Sequence, residues 1–112
     1  MDRNKIVHEK QAQVAQAIGH PNRIAILYFL KDGPQCVCDI AKAVGAERSN
    51  ISRHLSLMVK AGVLESEKQG LKVIYKIKTP CVIQCLECLG QCLIENVKAD
   101  QKLLEHMQEQ QA

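Results

Sequence analysis

The run from Cys36 to Val63, CVCDIAKAVGAERSNISRHLSLMVKAGV, constrains the fold more than any other part of the chain. It predicts two short helices joined by a tight turn at Gly45, the pattern of a helix-turn-helix. In the second helix, four apolar residues fall at i, i+4, i+7 and i+8 and should form one buried stripe: Ile51, Leu55, Met58 and Val59. The opposite face of that helix is then free for solvent or for a ligand.

Five polar residues crowd together on that opposite face, given about 100° of rotation per residue: Ser49, Ser52, Arg53, Ser56 and Lys60. Short hydroxyl side chains let a helix backbone approach phosphates and base edges, and a long cation beside them reaches a guanine or a phosphate. The sequence therefore predicts that this helix reads a groove of double-stranded DNA. On periodicity alone, an ordinary solvated helix face is the alternative.

The charge distribution along the 112 residues also favours a nucleic-acid partner. The net charge is +3, but residues 47–78 carry seven Lys and Arg against three Asp and Glu, whereas residues 80–112 carry two against five. A basic middle segment is the electrostatic footprint of a local nucleic-acid patch. Because only 3% of the residues are aromatic and none is Trp, stacking on single-stranded bases is an unfavourable binding mode.

Helices are predicted before this run and strands after it. Residues 4–19 predict a helix that ends at Gly19, and Pro21 opens an apolar second helix that Gly33 and Pro34 end. Beyond the helix-turn-helix the pattern alternates, so residues 63–68 and 71–78 predict two strands around a Gln69-Gly70 turn.

The second of these strands should have one buried and one cationic face. Its buried face is predicted to comprise Leu71, Val73, Tyr75 and Ile77, and its cationic face Lys72, Lys76 and Lys78. We interpret the hairpin as a wing that contacts phosphates beside the groove. A plain hairpin with solubilising lysines is the alternative.

A long amphipathic helix is predicted from Pro80 to about Met107. Its apolar stripe comprises Val82, Leu86, Leu89, Leu93 and Val97. Because a small winged domain leaves such a stripe uncovered, we expect a second protomer to cover it in a homodimer. The chain should form one domain, with no membrane-spanning segment and no signal peptide. We therefore expect a cytoplasmic protein whose six cysteines stay reduced.

The cysteines fall into two groups. Four lie within an arc of roughly 60° on the last predicted helix: Cys81, Cys85, Cys88 and Cys92. They are candidate metal ligands, although small side chains filling a helical seam are the alternative. Cys36 and Cys38, at i and i+2, point to nearly opposite sides of a regular helix and share one ion only if its first turn loosens. An ion that draws them together would distort the support of the reading helix and lower DNA affinity.

Thiolates without a matching set of histidines suit soft ions: Cd, Pb, Cu(I), Zn, Fe–S clusters and three-coordinate arsenic or antimony. Two other sensing chemistries stay open, namely reversible oxidation or persulfidation of the thiols and an Fe–S cluster shared by two protomers. Cys85 and Cys88 have the CxxC spacing of redox enzymes, but they lie mid-helix without a βαβ pattern. The sequence therefore predicts a protein that is not an enzyme.

CVCDIA, followed by SNISRHLSLMVKAGVLESEKQGLKVIYKI, resembles the ArsR/SmtB family of metal- and metalloid-responsive repressors, and specifically its arsenic-repressor branch. The resemblance extends over residues 21–77. It implies a mainly α-helical, dimeric winged helix-turn-helix in the order α-α-α-α-β-β-α. It further implies binding to operator DNA and release by an inducer, which we expect to be As(III), Sb(III) or another soft metal ion, with no cofactor needed for DNA binding.

By position, the resemblance assigns Cys36 and Cys38 to the inducer. It assigns to the reading helix Ser49, Asn50, Ser52, Arg53 and His54, and to the wing Lys68, Gln69, Gly70 and Lys72. The chain departs from the branch where a third cysteine is common, at Ala41, and its N-terminal arm offers only His8 as a ligand. We therefore expect the remaining thiolates to come from Cys81, Cys85, Cys88 and Cys92 of either protomer.

Overall fold

The computed structural model describes residues 2–111, which contain five helices and three short strands. In chain order these are α1 (Arg3–Ile18), α2 (Pro21–Leu30), β1 (Gln35–Cys36), α3 (Val37–Val44), α4 (Arg48–Lys60), β2 (Leu64–Gln69), β3 (Lys72–Ile77) and α5 (Cys81–Gln111). The chain divides into two compact units, one ending at Val82 and the other beginning at Ile83. The predicted winged helix-turn-helix is confirmed, with β1 as an additional strand.

The first two helices begin where the sequence supplies a cap. The carboxylate of Asp2 accepts a hydrogen bond from the backbone N–H of Asn4 at 2.9 Å and so caps α1. His20 caps α2 in the same way, because its Nδ1 accepts from the N–H of Asn22 at 3.0 Å. Pro21 occupies the first turn of α2, where its missing N–H costs nothing. These two caps fix the start of each helix locally.

The core of the first unit lies among α2, α3, α4 and the start of β2. Its largest fully buried side chains are Ile26, Leu27, Ile40, Ile51, Leu55, Met58, Val63 and Leu64. Three of the four residues predicted for the buried stripe of α4 are therefore confirmed, and Val59 is only half-buried. The turn between α3 and α4 is made by Gly45, whose φ of 77° suits glycine and whose N–H donates to the carbonyl of Ala41.

The three strands form an antiparallel sheet in the order β1-β3-β2. In the hairpin, Gln69 pairs with Lys72, so the turn comprises Gly70 and Leu71 and lies one residue later than predicted. Gly70 has a φ of 63°, as the first turn residue of a two-residue hairpin requires. The sequence therefore predicts both strands correctly and places the turn between them one residue too early.

The predicted buried face of β3 is wrong at the wing tip. Leu71 is fully exposed and Val73 is 38% exposed, whereas Tyr75 and Ile77 are half-buried. The reason is that the hairpin extends beyond the core. Near its base, Ile77 pairs with the buried Leu64, but towards the tip the partner strand is exposed as well.

Helix α5 has 31 residues and, at about 1.5 Å per residue, is roughly 46 Å long. Along it, from residue 89 onwards, several large apolar side chains are exposed to solvent: Leu89, Leu93, Ile94, Val97, Leu103, Leu104 and Met107. In the described part of the chain, no helix combines the length and apolar character needed to cross a bilayer.

Candidate DNA interface and thiol cavity

Helix α4 presents a polar surface opposite its buried stripe. Ser49, Arg53, Ser56 and Lys60 are exposed there. Ser52 and Asn50 are half-buried, at the margin of that surface. A helix with hydroxyls and cations on one face has the donors that read base edges and phosphates. The structure thus brings together the side chains that the sequence predicted for a reading helix, apart from His54.

The wing lies in the same unit as α4 and adds cations. The four predicted wing residues are all exposed, and they lie at the hairpin tip: Lys68, Gln69, Gly70 and Lys72. Lys76 differs from them, because its Nζ lies 3.2 Å from a carboxylate oxygen of Glu65 on the neighbouring strand. Among residues 2–111, Lys68 and Lys72 form no ion pair, so these two lysines are the stronger candidates for phosphate contact.

The placement of Cys36 corrects the prediction that it lies within a helix with Cys38. Cys36 belongs to β1, where it pairs with Ile74, and its extended backbone (φ −83°, ψ 162°) makes it the residue that precedes α3. Cys38 lies in the first turn of α3. The opposition expected of two residues at i and i+2 in a regular helix therefore does not apply to this pair, because only Cys38 is helical.

Both cysteines line one cavity of about 270 Å³, the thiol cavity. Its other lining residues come from the start of α3, from α4 and from the wing: Val37, Arg48, Ser52, Leu71, Lys72, Val73 and Tyr75. Cys36 is 7% exposed and its Sγ donates to Oδ2 of Asp39 at 3.3 Å, whereas Cys38 is exposed. A ligand bound to these sulfurs would therefore lie beside Arg48 and beside two residues of the candidate DNA interface, Ser52 and Lys72.

Arg48 is a lining residue that sequence reasoning missed. It is the first residue of α4 and is exposed. The signal was present, because Arg48 precedes Ser52 by four residues and so shares its face of the helix. The predicted outward face of α4 includes Arg48 if it is extended by one helical turn towards the N-terminus.

The four cysteines of α5 are exposed. Cys92 accepts a weak hydrogen bond from the amide of Asn96, with 4.0 Å between Nδ2 and Sγ. Among residues 2–111, no three Cys, His, Asp or Glu side chains come close enough together to hold one metal ion. The predicted set of six thiolates is therefore not assembled within one chain, and a shared role for them stays a prediction.

His54 lies half-buried and faces α2 instead of the outward surface. Its ring centroid is 4.5 Å from that of His20, and its Nδ1 lies 3.2 Å from Nη1 of Arg23. A guanidinium only donates, so Nδ1 must accept and the neutral ring carries its proton on Nε2. Arg23 also donates to the carbonyl of Gln16 at 2.8 Å, and thereby ties α1, α2 and α4 together. Sequence periodicity cannot indicate the contact between Arg23 and His54, because these two residues are 31 positions apart.

The cluster of His20, Arg23 and His54 predicts that the free energy of unfolding depends on pH. Burial, reinforced by the neighbouring His20 and by the positive charges of Arg23 and Arg53, holds the pKa of His54 below its ordinary value of 6.5. Because the unfolded chain regains the ordinary pKa, it binds the proton first as the pH falls. The contribution of neutral His54 to the free energy of unfolding is therefore complete above about pH 6.5 and is lost as the pH falls through the folded-state pKa.

Urea unfolding at pH 7.5 and at pH 5.5 measures this dependence. In His54→Gln, the amide oxygen still accepts from Arg23 but does not titrate, so we expect a smaller loss of stability between the two pH values than in the wild type. His8→Gln, at an exposed position in α1, serves as the matched control and should leave the loss unchanged. An equal loss in His54→Gln and in the wild type would contradict the assignment to His54.

Comparison with known proteins places this architecture in a family. The family model described as bacterial regulatory protein, arsR family, matches residues 20–66. An uncharacterised helix-turn-helix-type transcriptional regulator of Methanocaldococcus jannaschii is 37% identical over 71 residues, which cover 62% of this chain and 80% of that protein. The residues matched by the family model contain α2, β1, α3 and α4.

Two solved structures resemble the chain closely. A homodimeric winged helix-turn-helix DNA-binding domain from Mycobacterium bovis superposes with a TM-score of 0.77 at 24% identity, covering 88% of this chain and 92% of that one. The antimony-specific transcriptional repressor AntR has a TM-score of 0.68 at 30% identity, covering 82% and 83%. The family model and the relative in Methanocaldococcus jannaschii identify the chain, which has the fold of these structures, as a member of the ArsR family of DNA-binding transcriptional regulators, not an enzyme.

Proposed function

We propose that this regulator is a homodimeric repressor that binds operator DNA and leaves it when Cys36 and Cys38 bind a thiophilic ion. The inducers we favour are As(III) and Sb(III), with other soft metal ions next. AntR, which is 30% identical, is named for antimony, an element of the same thiol-binding chemistry. Because the DNA that it would bind lies in the cytoplasm, we place the repressor there, with no membrane partner.

DNA binding is proposed for the outward face of α4 and for the wing. Arg53 and Lys60 supply cations on α4, Ser49 and Ser56 supply short hydroxyls, and all four are exposed. The lysines at the wing tip would contact phosphates beside the groove that α4 enters. The inward orientation of His54 makes it a positioning residue for α4 in this proposal, with no direct DNA contact required of it.

The thiol cavity is the observation that carries the inducer proposal. Its wall contains the two sulfurs together with Arg48, Ser52 and Lys72. An ion that draws Cys36 and Cys38 together must shift the end of β1 and the first turn of α3, and both border α4 or the wing. Because inducer and DNA then favour different arrangements of the same side chains, binding of one lowers affinity for the other.

A second protomer is proposed as the cover for the exposed apolar side chains of α5. Leu89, Leu93 and Val97 lie four residues apart and form a stripe on one face of the helix, which Leu104 and Met107 continue. A two-fold dimer buries such a stripe against its own copy, and it presents two reading helices to two half-sites of an operator.

The inducer proposal predicts the behaviour of cysteine variants. We expect arsenite or antimonite to lower the DNA affinity of the reduced wild-type protein by about tenfold or more, a coupling of ordinary size. Cys36→Ser and Cys38→Ser should bind DNA normally and lose this response. The measurement is fluorescence anisotropy of a labelled duplex, selected from random sequence for binding to the reduced protein.

Cys88→Ser is the matched control, because Cys88 is exposed on α5. This variant should still release DNA when the ion is added. Wild-type DNA affinity that stays constant at saturating arsenite and antimonite would contradict the proposal. Release by peroxide or polysulfide instead, with a mass change at the thiols, would favour the redox or persulfide alternative.

A further inference from the structure

We propose that the regulator has a second ligand site, separate from the thiol cavity, which binds a small organic anion with one carboxylate and an apolar body. The site is a cavity of about 590 Å³ between α1, α2 and α4, the helix cavity. Its lining residues are Gln13, Gln16, Arg23, Leu57, Lys60 and Ala61. It contains no cysteine, so the binding of the anion does not depend on the thiol chemistry.

The wall of the helix cavity is cationic. Arg23 and Lys60 contribute positive charges, Gln13 and Gln16 contribute amides, and the lining residues include no acidic side chain. Within residues 2–111, neither Arg23 nor Lys60 forms an ion pair. Two uncompensated cations beside one cavity favour an anionic ligand.

The guanidinium of Arg23 retains an unpaired donor. Its Nη1 lies 3.2 Å from Nδ1 of His54, and its Nη2 donates to the carbonyl of Gln16 at 2.8 Å. Its Nε is buried and has no hydrogen-bond partner within the described residues. A buried donor without an acceptor is unfavourable. Because a carboxylate accepts from two N–H groups of one guanidinium at once, a carboxylate in the helix cavity would satisfy this donor.

The size and the apolar part of the wall call for more than an inorganic ion. A volume of about 590 Å³ falls within the range of roughly 300–1,000 Å³ that is typical of small-molecule sites. Leu57 and Ala61 make part of the wall apolar, and Leu57 is 43% exposed. An apolar body attached to the carboxylate would cover Leu57 and remove its surface from water.

The position of the helix cavity along α1 and α4 favours one negative charge over two. Gln16 lies in the last turn of α1, and Lys60 is the last residue of α4. The carbonyl end of a helix carries a partial negative charge, which opposes a doubly charged anion more than a singly charged one. A carboxylate is therefore a better ligand here than a phosphate group.

A bound anion should weaken DNA binding. Lys60 belongs to the candidate DNA interface, and Arg23 contacts His54, which positions α4. A carboxylate that engages Lys60 competes with a DNA phosphate for the same ammonium group. The two ligands then lower each other's affinity by the same factor. This consequence rests on the proposed function, whereas the binding of the anion does not.

The experiment titrates the reduced wild-type protein, isotope-labelled for NMR spectroscopy, with benzoate as the probe. Benzamide is its neutral counterpart, and phenyl phosphate carries the same ring with a doubly charged group. We expect saturable shifts of the amide signals of the lining residues with benzoate. Benzamide should bind at least about tenfold more weakly, because it lacks the charge-assisted hydrogen bonds. Saturating benzoate should lower the affinity for the selected duplex by about fivefold, as measured by anisotropy.

Gln13→Glu tests the location of the site. Gln13 is exposed on α1, so a carboxylate at this position should repel the anion without disturbing the fold. We expect benzoate to bind this variant about tenfold more weakly than the wild type. Gln11→Glu is the matched control, because it adds the same charge at an exposed position roughly 160° around α1 and should leave benzoate binding unchanged.

Each outcome supports or overturns one part of the inference. No saturable shifts with benzoate up to its solubility limit, or equal binding of benzoate and benzamide, overturns the anion site. Equal benzoate affinity in Gln13→Glu and Gln11→Glu overturns its location, and tighter binding of phenyl phosphate overturns the preference for one charge. Benzoate that binds without changing DNA affinity overturns only the coupling. Cys36→Ser should bind benzoate as the wild type does, so a failure of the inducer proposal is distinguishable from a failure of this one.

Discussion

Replacing Arg53 by alanine is expected to weaken operator binding by about ten- to a hundredfold, the equivalent of one guanidinium contact to a base or phosphate. Arg53 is exposed on the middle of α4, directly opposite the buried Ile51 and Leu55. Its side chain makes no hydrogen bond or ion pair within the described chain, so its loss should leave the fold unaffected. Anisotropy titration with the selected duplex measures the change.

Whether Arg53 contacts a base edge or a phosphate determines which further property of the Arg53→Ala variant changes. If Arg53 binds a base edge, the variant discriminates less between the selected duplex and a random one. If Arg53 binds a phosphate, affinity falls for both duplexes, and the slope of log affinity against log salt concentration becomes shallower by about one. Lys102→Ala, which removes one positive charge from an exposed site on α5, is the matched control. An Arg53→Ala variant no weaker than this control would contradict the assignment of α4 as the reading helix.

The helix-turn-helix could be predicted because its signals are local and repeated. Ile51, Leu55 and Met58 recur with the period of a helix and are all buried. Gly45 has the positive φ that a helix-ending turn needs, and both features can be read from residues adjacent in sequence. The polar face of α4 follows from the same periodicity, and so most of the candidate DNA interface could be found without the structure.

The thiol cavity could not be predicted, because it depends on pairing between distant segments. Strand β1 has two residues, too few for any alternation, and it exists only because Gln35 and Cys36 pair with Tyr75 and Ile74. That pairing removes Cys36 from the helix and gives the two thiols one cavity. The contact between Arg23 and His54 was missed for the same reason.

In the wing, by contrast, a clear local pattern predicts more burial than the structure shows. Alternation in β3 correctly predicted a strand, yet Leu71 and Val73 are exposed because the hairpin tip extends past the core. Periodicity reports which residues share a face, and only the tertiary structure decides whether anything covers that face. At the tip, the uncovered apolar residues border the thiol cavity.

Leu93→Glu is expected to raise the dissociation constant of the dimer by about a hundredfold or more, because a carboxylate buried without a partner costs several kcal/mol. Leu93 is 65% exposed in the single chain and lies at the middle of the stripe formed by Leu89, Leu93 and Val97. The substitution therefore costs nothing within one protomer and acts only where a second copy covers it. Sedimentation equilibrium measures the association.

A monomer should also bind the operator far more weakly, because a half-site engaged alone loses the advantage of two linked reading helices. Gln84→Glu adds the same charge on the opposite face of α5, at an exposed position, and should change neither property. A Leu93→Glu protein that remains dimeric would show that another surface holds the protomers together, with the exposed Val7 and Val14 of α1 as the next candidates. A monomer that still binds the operator at wild-type affinity would instead separate dimer formation from DNA recognition.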